Sequence, residues 1–445
     1  MISNVLFITI DSLRYDRVFG VNHTALTPNL NSIIKDGSVF SQVISTSDAT
    51  GTSLGSIFSG CFPFKTGISH FNYDDSVPMF YDVLKENDYF LCSCVPDVSF
   101  FSKLTSEFDK KYLYTYDKRE DWLQLGGGIG DMIVNDLKFL KQKTPWFYFI
   151  HLMDLHAPFK LPLEFNFSKF GSDRYDQMIS YIDTWLGKFF SEINFGNTMI
   201  IISADHGDYI PTYDIEPEIN KNLKKLLQKG KKIVPVLEPL GIKIFEKTKS
   251  VNKEHKLKQL EKILSTKDLR SLGTRGTNNL YDELLLIPLI FYGKNVPKSK
   301  IITNLVRQVD IFPTILDFLS IKSSLKDIHG QSLFPLLKDQ KIKEICAYIE
   351  TGSRNPKELG KLIGIRTSKY KFLKYRDSDE SDVILYDLEN DPDEAYDISN
   401  NYPEICLEMN NMLLELQKNS SRYSKKSSQK YEKEIEDELR KLGYL

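Results

Sequence analysis

The chain has 445 residues, of which 41% are hydrophobic and 27% charged, and its formal net charge is -2. This is enough chain for one large α/β domain plus a smaller one, with a sizeable core and the composition of an ordinary soluble globular protein. The near-balance of charge excludes nucleic acid or a membrane as partner of the chain as a whole.

Five cysteines (Cys61, Cys92, Cys94, Cys346, Cys406) are scattered, odd in number and without zinc-type pairing. They suit free buried thiols in a reducing compartment rather than a disulfide framework. Residues 1–4 carry no basic region or small-residue cleavage site, and no apolar run is long enough to cross a bilayer. The expectation is a cytoplasmic protein with no signal peptide and no transmembrane segment.

Residues 5–10 are a continuous apolar, β-branched run of strand length that ends on Asp11. Loops beyond the carboxyl ends of parallel strands gather the chemistry of α/β sheets, so Asp11 is placed to hold a metal or a substrate. The alternative is a solvated Asp that caps the next helix. Within residues 27–40 the pattern predicts a helix that Pro28 starts and Gly37 ends. Residues 45–60 are a small-residue turn running into an amphipathic helix, whose N-terminus suits an anion.

Residues 77–87 predict a helix and 89–95 a strand, while Gly126 to Gly130 reads as a flexible loop. No strand precedes those glycines at the distance a nucleotide-binding fingerprint requires. Residues 146–153 form a strongly apolar strand followed by Asp154 and His156. His151 lies inside that strand and reads as a core histidine. Residues 175–193 have helical periodicity, and 198–203 are another strand, ending on Asp205, His206, Gly207 and Asp208. Three separate apolar strands thus deliver Asp11, then Asp154 and His156, then Asp205 and His206. If the strands are parallel neighbours, these groups converge on one edge of a sheet.

Residues 221–262 hold 13 Lys against 4 Glu, in helical segments broken by Pro235 and Pro239. They read as an insertion, spanning about 209–275, that is either a solvated face or a docking surface for an anionic polymer or membrane. Residues 284–292 return to strand character, and Pro288 assigns that strand to an edge or a bulge. Shorter strands at 345–350 and 362–375, then a polar turn through Asn390 and Pro392, predict a smaller antiparallel subdomain. The expected boundaries are a catalytic domain at 1–338, the subdomain at 339–417 and a charged tail at 418–445. The tail is Ser/Lys-rich to residue 430, and residues 432–442 predict a helix docking back through Leu439, Leu442 and Tyr444.

In order, NVLFITIDSLRYDRVFG, TPNLNSIIKDGSVF, FIHLMDLHAPF, SADHGD, NNLYDELLLIPLIFYG, VDIFPTILDFL and HGQSLFPLL run along this chain. LIGIRTSKYKFLKY, LYDLENDPDEAYDIS and ELRKLGYL follow. The ordered series resembles the sulfatase-like branch of the alkaline phosphatase superfamily over nearly the whole length outside the insertion. The resemblance implies an α/β fold with a central mixed, mostly parallel sheet flanked by helices, and a smaller C-terminal antiparallel sheet.

Carried over by position, the family's nucleophile falls on Thr50, ten residues before Gly60. Sulfatases place there a Cys or Ser that becomes formylglycine, with Pro and Arg at the second and fourth positions after it. Here those positions are Thr52 and Leu54. Threonine, with a methyl group on its β-carbon, cannot become that aldehyde. It is similar instead to the nucleophile of the superfamily's phosphodiesterases and phospho-group transferases.

Where family sulfatases bind calcium through paired Asp residues, the second is Ser12, and a position before LYDELL that often carries a histidine in two-zinc members is Arg275. The implied ligand set is Asp11, Thr50, Asp205 and His206. It is similar to the single-metal site of lipoteichoic-acid-synthase and phosphoethanolamine-transferase relatives. An imidazole with carboxylates suits Mn2+ or Zn2+ better than Ca2+.

On this reading Thr50 attacks in line and passes the group to water or an acceptor hydroxyl, and His156 is the acid for the leaving oxygen. Arg14, His70 and Asp154 are candidate substrate contacts, with an ion pair to Asp16 or Asp48 as the rival role for Arg14. The expected function is metal-dependent hydrolysis or transfer of phosphate esters, on a glycan or lipid-linked glycan. Sulfate-ester hydrolysis, or a non-catalytic glycan- or polyanion-binding relative, are the alternatives. His23, His255 and His329 carry no signal.

Overall fold

Seven consecutive buried residues, Asn4–Ile10, form β1 in the interior of the large sheet of the computed structural model. Both faces of such a strand must be covered, which is why its apolar run is unbroken rather than alternating. The structure describes residues 3–20, 23–115, 124–157, 160–210, 270, 279–323, 325–353, 360–377 and 382–418. The Lys-rich stretch 221–262 with Pro235 and Pro239, Arg275, and the tail with the helix expected at 432–442 lie outside these residues. The chain divides into two compact units, Met1–Asp208 with Gly276–Leu445, and Tyr209–Arg275. The strands and helices described all belong to the first.

Further along the chain are β2 (Ser38–Ile44), β3 (Phe90–Pro96), β4 (Lys110–Tyr114), β5 (Trp146–Leu152), β6 (Thr198–Ser203), β7 (Leu286–Gly293) and β8 (Lys300–Arg307). They complete an eight-stranded sheet in the order β4-β3-β5-β1-β6-β7-β2-β8. Strand β7 runs antiparallel to both its neighbours, and the other pairings are parallel. The large sheet is therefore mixed and mostly parallel.

Pro288 does not mark an edge: β7 lies between β6 and β2. The other half of the expectation is right, because the β2–β7 register shifts between Phe40, opposite Leu289, and Val43, opposite Ile287. Pro288 sits at this irregularity, where its missing N–H leaves no gap in the ladder. Its carbonyl accepts the Ser203 hydroxyl at 2.8 Å.

Helix α1 (Pro28–Lys35) starts at the expected proline. Its first N–H groups are capped from a distance, since Asp183 accepts from Asn29 N at 3.1 Å and Leu30 N at 2.7 Å. Helix α2 (Thr50–Ser59) ends on Gly60, whose φ of 64° is the left-handed conformation a helix C-terminus favours. It docks on the sheet through Phe58, whose ring meets that of Phe149 edge-on at 4.9 Å. Gly126 to Gly130 is not a flexible loop: Leu125–Ile129 make a π-helical turn that opens the helix Gly130–Leu140. Leu125 and Ile129 are buried and hold the turn down.

A second, antiparallel sheet comprises β9 (Ala347–Glu350), β10 (Leu362–Arg366), β11 (Tyr370–Tyr375) and β12 (Val383–Asp387), in the order β12-β11-β10-β9. The run expected at 362–375 is thus a hairpin. The helix Pro403–Lys418 lays Cys406, Met409 and Leu413 on a core with Ile365, Phe372 and Leu385. Phe62, just after α2, enters the same core. The small sheet also braces the turn ahead of Thr50: Glu350 N donates to Thr46 O at 2.9 Å, and Gly352 N to Asp48 Oδ1 at 2.6 Å. No described helix is long and apolar enough to cross a membrane.

Candidate active site

Strand β1 pairs with β5 on one side and β6 on the other, so their carboxyl ends lie together. Asp11 follows β1, Asp205 follows β6 by two residues, and His151 projects from the last turn of pleat in β5. All three are wholly buried, and one ligand atom from each lies within 4.8 Å of the others. Helix α2 brings Thr50 to the same place. Its hydroxyl donates to Asp11 Oδ2 at 3.2 Å and stands 3.4 Å from His206 Nε2. Thr50 itself is partly exposed, so an ester can reach it.

Backbone geometry holds these groups. Ser12 has a φ of 63°, a left-handed conformation that a non-glycine residue keeps only when its surroundings enforce it. Here its N–H donates to Asp205 Oδ1 at 3.2 Å, its hydroxyl to Asp11 Oδ1 at 2.6 Å, and its carbonyl accepts the Tyr175 hydroxyl at 2.6 Å. On the other strand, a Cβ at Gly207 would come within 2.0 Å of Glu283 O, so the position beside His206 must be glycine. His206 Nδ1 lies 2.7 Å from the Gly207 carbonyl, which only accepts. That contact assigns a proton to Nδ1 and turns Nε2 toward Thr50 and Asp205.

Burial alone would raise the Asp11 carboxyl, but the charge of His156 and the proximity of His151 and His206 outweigh it and hold Asp11 well below the usual range. Two carboxylates so close and so deep are stable only beside positive charge. His151 Nε2 and Asp205 Oδ2 are also buried without a hydrogen-bond partner. Orphaned nitrogen and carboxylate donors around one point fit a divalent cation.

Residues 3–321 match the family model described as Sulfatase. The chain belongs to the sulfatase family. Residues 276–419 match the model described as N-sulphoglucosamine sulphohydrolase, C-terminal. The chain is similar to arylsulfatase K of Gallus gallus, 29% identical over 144 residues, which are 30% of this chain and 26% of that protein. It is also similar to a sulfatase of Formosa agariphila, 26% identical over 134 residues, 29% of this chain and 24% of that protein. The matched segments thus span about a quarter of the length of these relatives.

Among solved structures, Ps i-CgsB in complex with k-i-k-neocarrahexaose has a TM-score of 0.65 at 17% identity, covering 100% of this chain and 99% of that one. The phosphonate monoester hydrolase of Agrobacterium radiobacter has a TM-score of 0.67 at 15% identity, covering 93% and 95%. These likenesses establish the fold.

Of the sulfatase-family residues expected from the sequence, Asp11, Thr50, Asp205 and His206 come together as described. His156 is buried close by, with its backbone N–H on Met153 O at 3.0 Å, and acts on Asp11 through its charge. His70 lies beside the attacking group through its backbone: a Cβ at Gly51 would stand 2.5 Å from His70 N. Burial pushes its imidazole down to about 4, so it is neutral at neutral pH. Asp154 has Oδ1 on Leu125 N at 3.1 Å and a buried Oδ2 with no hydrogen-bond partner, and burial pushes it up to about 7. Arg14 is engaged by Asp16 in a two-point ion pair at 2.7 and 2.8 Å, the rival role that the sequence offered it.

His151 is the main correction. It is buried, but its Nε2 is not satisfied as a core histidine's would be. Two further residues escaped the sequence reading. Gln308 donates to Asp205 O at 2.8 Å and accepts from Thr46 N at 3.1 Å, and Ser45 Oγ lies 2.6 Å from Asp205 O. Together they tie the turn ahead of Thr50 to the loop of Asp205. No local motif announces a buried glutamine of this kind.

Proposed function

We propose that this chain is a divalent-cation-dependent hydrolase of phosphate esters in which Thr50 is the attacking group. The observation that carries the reading is the Thr50 hydroxyl, partly exposed at the head of α2, 3.2 Å from Asp11 Oδ2 and 3.4 Å from His206 Nε2. Asp11, Asp205, His206 and the Thr50 oxygen would hold the cation. When bound there, it supplies positive charge that favours the ionised hydroxyl and offsets charge on the ester oxygens.

Thr50 Oγ1 gives up its proton to solvent water and attacks phosphorus in line with the leaving oxygen. The bond to the leaving oxygen breaks, and His156 delivers a proton to it. A phosphothreonine remains, and water or an acceptor hydroxyl then breaks its phosphorus–Oγ1 bond and restores Thr50. The N-terminal end of α2 adds partial positive charge beside the ester.

A second reading, sulfate-ester hydrolysis, is favoured by the sulfatase family model and the arylsulfatase K relatives. A glycan as carrier of the ester is supported by neighbours described with neocarrahexaose and with the substrate D-glucosamine-2-N,6-O-disulfate. Turnover of 4-nitrophenyl phosphate, bis(4-nitrophenyl) phosphate and 4-nitrophenyl sulfate, with and without EDTA, separates the readings. Thr50→Ala should lower turnover by about three orders of magnitude or more while circular dichroism stays unchanged. An active Thr50→Ala variant overturns the assignment, and turnover of the sulfate alone selects the second reading.

A further inference from the structure

His151 stands in register with Thr9 on the neighbouring strand, and its Nδ1 lies 2.8 Å from the Thr9 hydroxyl. That hydroxyl directs its own proton to Ile150 O at 3.4 Å, which leaves its oxygen to accept from Nδ1–H. A proton on Nδ1 suits this arrangement, and it leaves a lone pair on Nε2 to face the carboxylates. Nε2 is 3.5 Å from Asp11 Oδ2 and has no hydrogen-bond partner, and neither has Asp205 Oδ2. A bare nitrogen lone pair pressed against carboxylate oxygens is repulsive unless a cation lies between them.

We propose that His151 is a ligand, through Nε2, of the divalent cation at this edge, and that Thr9 is the residue that orients its ring. The inference rests on the cation site of the preceding section and adds a second imidazole to it. Two nitrogen donors with two carboxylates make the set softer than oxygen donors alone, and select zinc or manganese over calcium. A hydroxyl holding the far nitrogen of a ligating histidine fixes its tautomer and its aim.

The test uses the full chain, stripped of metal, with ZnCl2, MnCl2 and CaCl2 titrated in by calorimetry. His151→Gln should weaken zinc binding about 100-fold and calcium binding far less, and Thr9→Val, which keeps the branched shape, should weaken zinc about 10-fold. Pulsed EPR of the manganese-loaded protein should show one coordinated nitrogen fewer in His151→Gln than in the parent. If His151→Gln and Thr9→Val bind zinc as the parent does while Asp205→Asn does not, the cation site stands and His151 is only the imidazolium partner of Asp11. If the parent binds none of the three metals, the cation site itself fails. Should His151→Gln not fold, Thr9→Val and the nitrogen count of the parent decide the matter.

Discussion

Beneath the small sheet, Lys371 lies 2.5 Å from both Asp282 Oδ1 and Glu394 Oε1, and Arg366 lies 3.0 Å from Asp282 Oδ2. The remaining oxygen, Glu394 Oε2, accepts from Asp282 N at 2.7 Å. Each carboxylate oxygen there has a partner supplied by the chain, and the cluster ties β10 and β11 to the segment that leads into β7. Despite burial, Arg366 and Lys371 hold Asp282 below the usual range, while burial pushes Glu394 up to about 7 against the pull of Lys371. At the carboxyl edge of the large sheet Asp11 and Asp205 are wholly buried, yet among the described residues no Lys or Arg is ion-paired with them: the ion-pair neighbours of Asp11 Oδ2 and Asp205 Oδ2 are the imidazoles of His151 at 3.5 Å and His206 at 3.4 Å. Buried charge closed by its own counter-ions is structural, whereas buried charge left open is a site for something from outside.

Three substitutions sharpen or break that contrast. The largest effect is expected from Lys371→Met, which strands the buried Glu394 carboxylate and leaves Asp282 with Arg366 alone, and should cost about 3–5 kcal/mol in urea unfolding. A cost near zero would remove the structural role of the closed cluster. Asp205→Asn should do the reverse, because it relieves one of two neighbouring negative charges: the metal-free chain should unfold at an equal or higher urea concentration than the parent. In the parent, zinc at about 100 times its dissociation constant should add about 2.7 kcal/mol, and in Asp205→Asn it should add almost nothing. A marked loss of stability in metal-free Asp205→Asn would show that the edge is closed after all.

The smallest effect concerns Asp154, which burial pushes up to about 7 in the folded chain. The folded state therefore holds this proton more tightly than the unfolded state, where a carboxyl titrates near about 3.9. Its contribution to stability is full below that value and is lost as pH rises through about 7. Asp154→Asn cannot ionise, so its stability relative to the parent should improve by about 2 kcal/mol between about pH 5 and about pH 8. An unchanged difference across that range would show that Asp154 is not held in its protonated form.

Local pattern carried the sequence a long way. The apolar runs at 5–10, 146–153 and 198–203 have the length and branching of buried strands, and each hands a polar group to the loop beyond it, so the edge carrying Asp11, Asp205 and His206 was legible. Pro28 and Gly37 bracketed the helix Pro28–Lys35 because their backbone preferences are local. Strand β2 was not legible, since Ser38, Ser41 and Gln42 interrupt its apolar pattern. Ser38 Oγ and Ser41 Oγ donate to the carbonyls of Pro297 and Ile302, partners more than 250 residues away.

Position in the chain also could not say whether Arg14 would meet Asp16, or whether Pro288 would sit at an edge or a bulge. For His151 the deciding fact was register. Period-two alternation says which face of β5 the ring occupies, but only the pairing with β1 sets it beside Thr9 and across from Asp11. Sequence determined which residues are strands and which loops carry chemistry, because those depend on a few neighbouring residues. Tertiary structure decided which buried groups meet, because that depends on strands more than 100 residues apart settling into a single alignment.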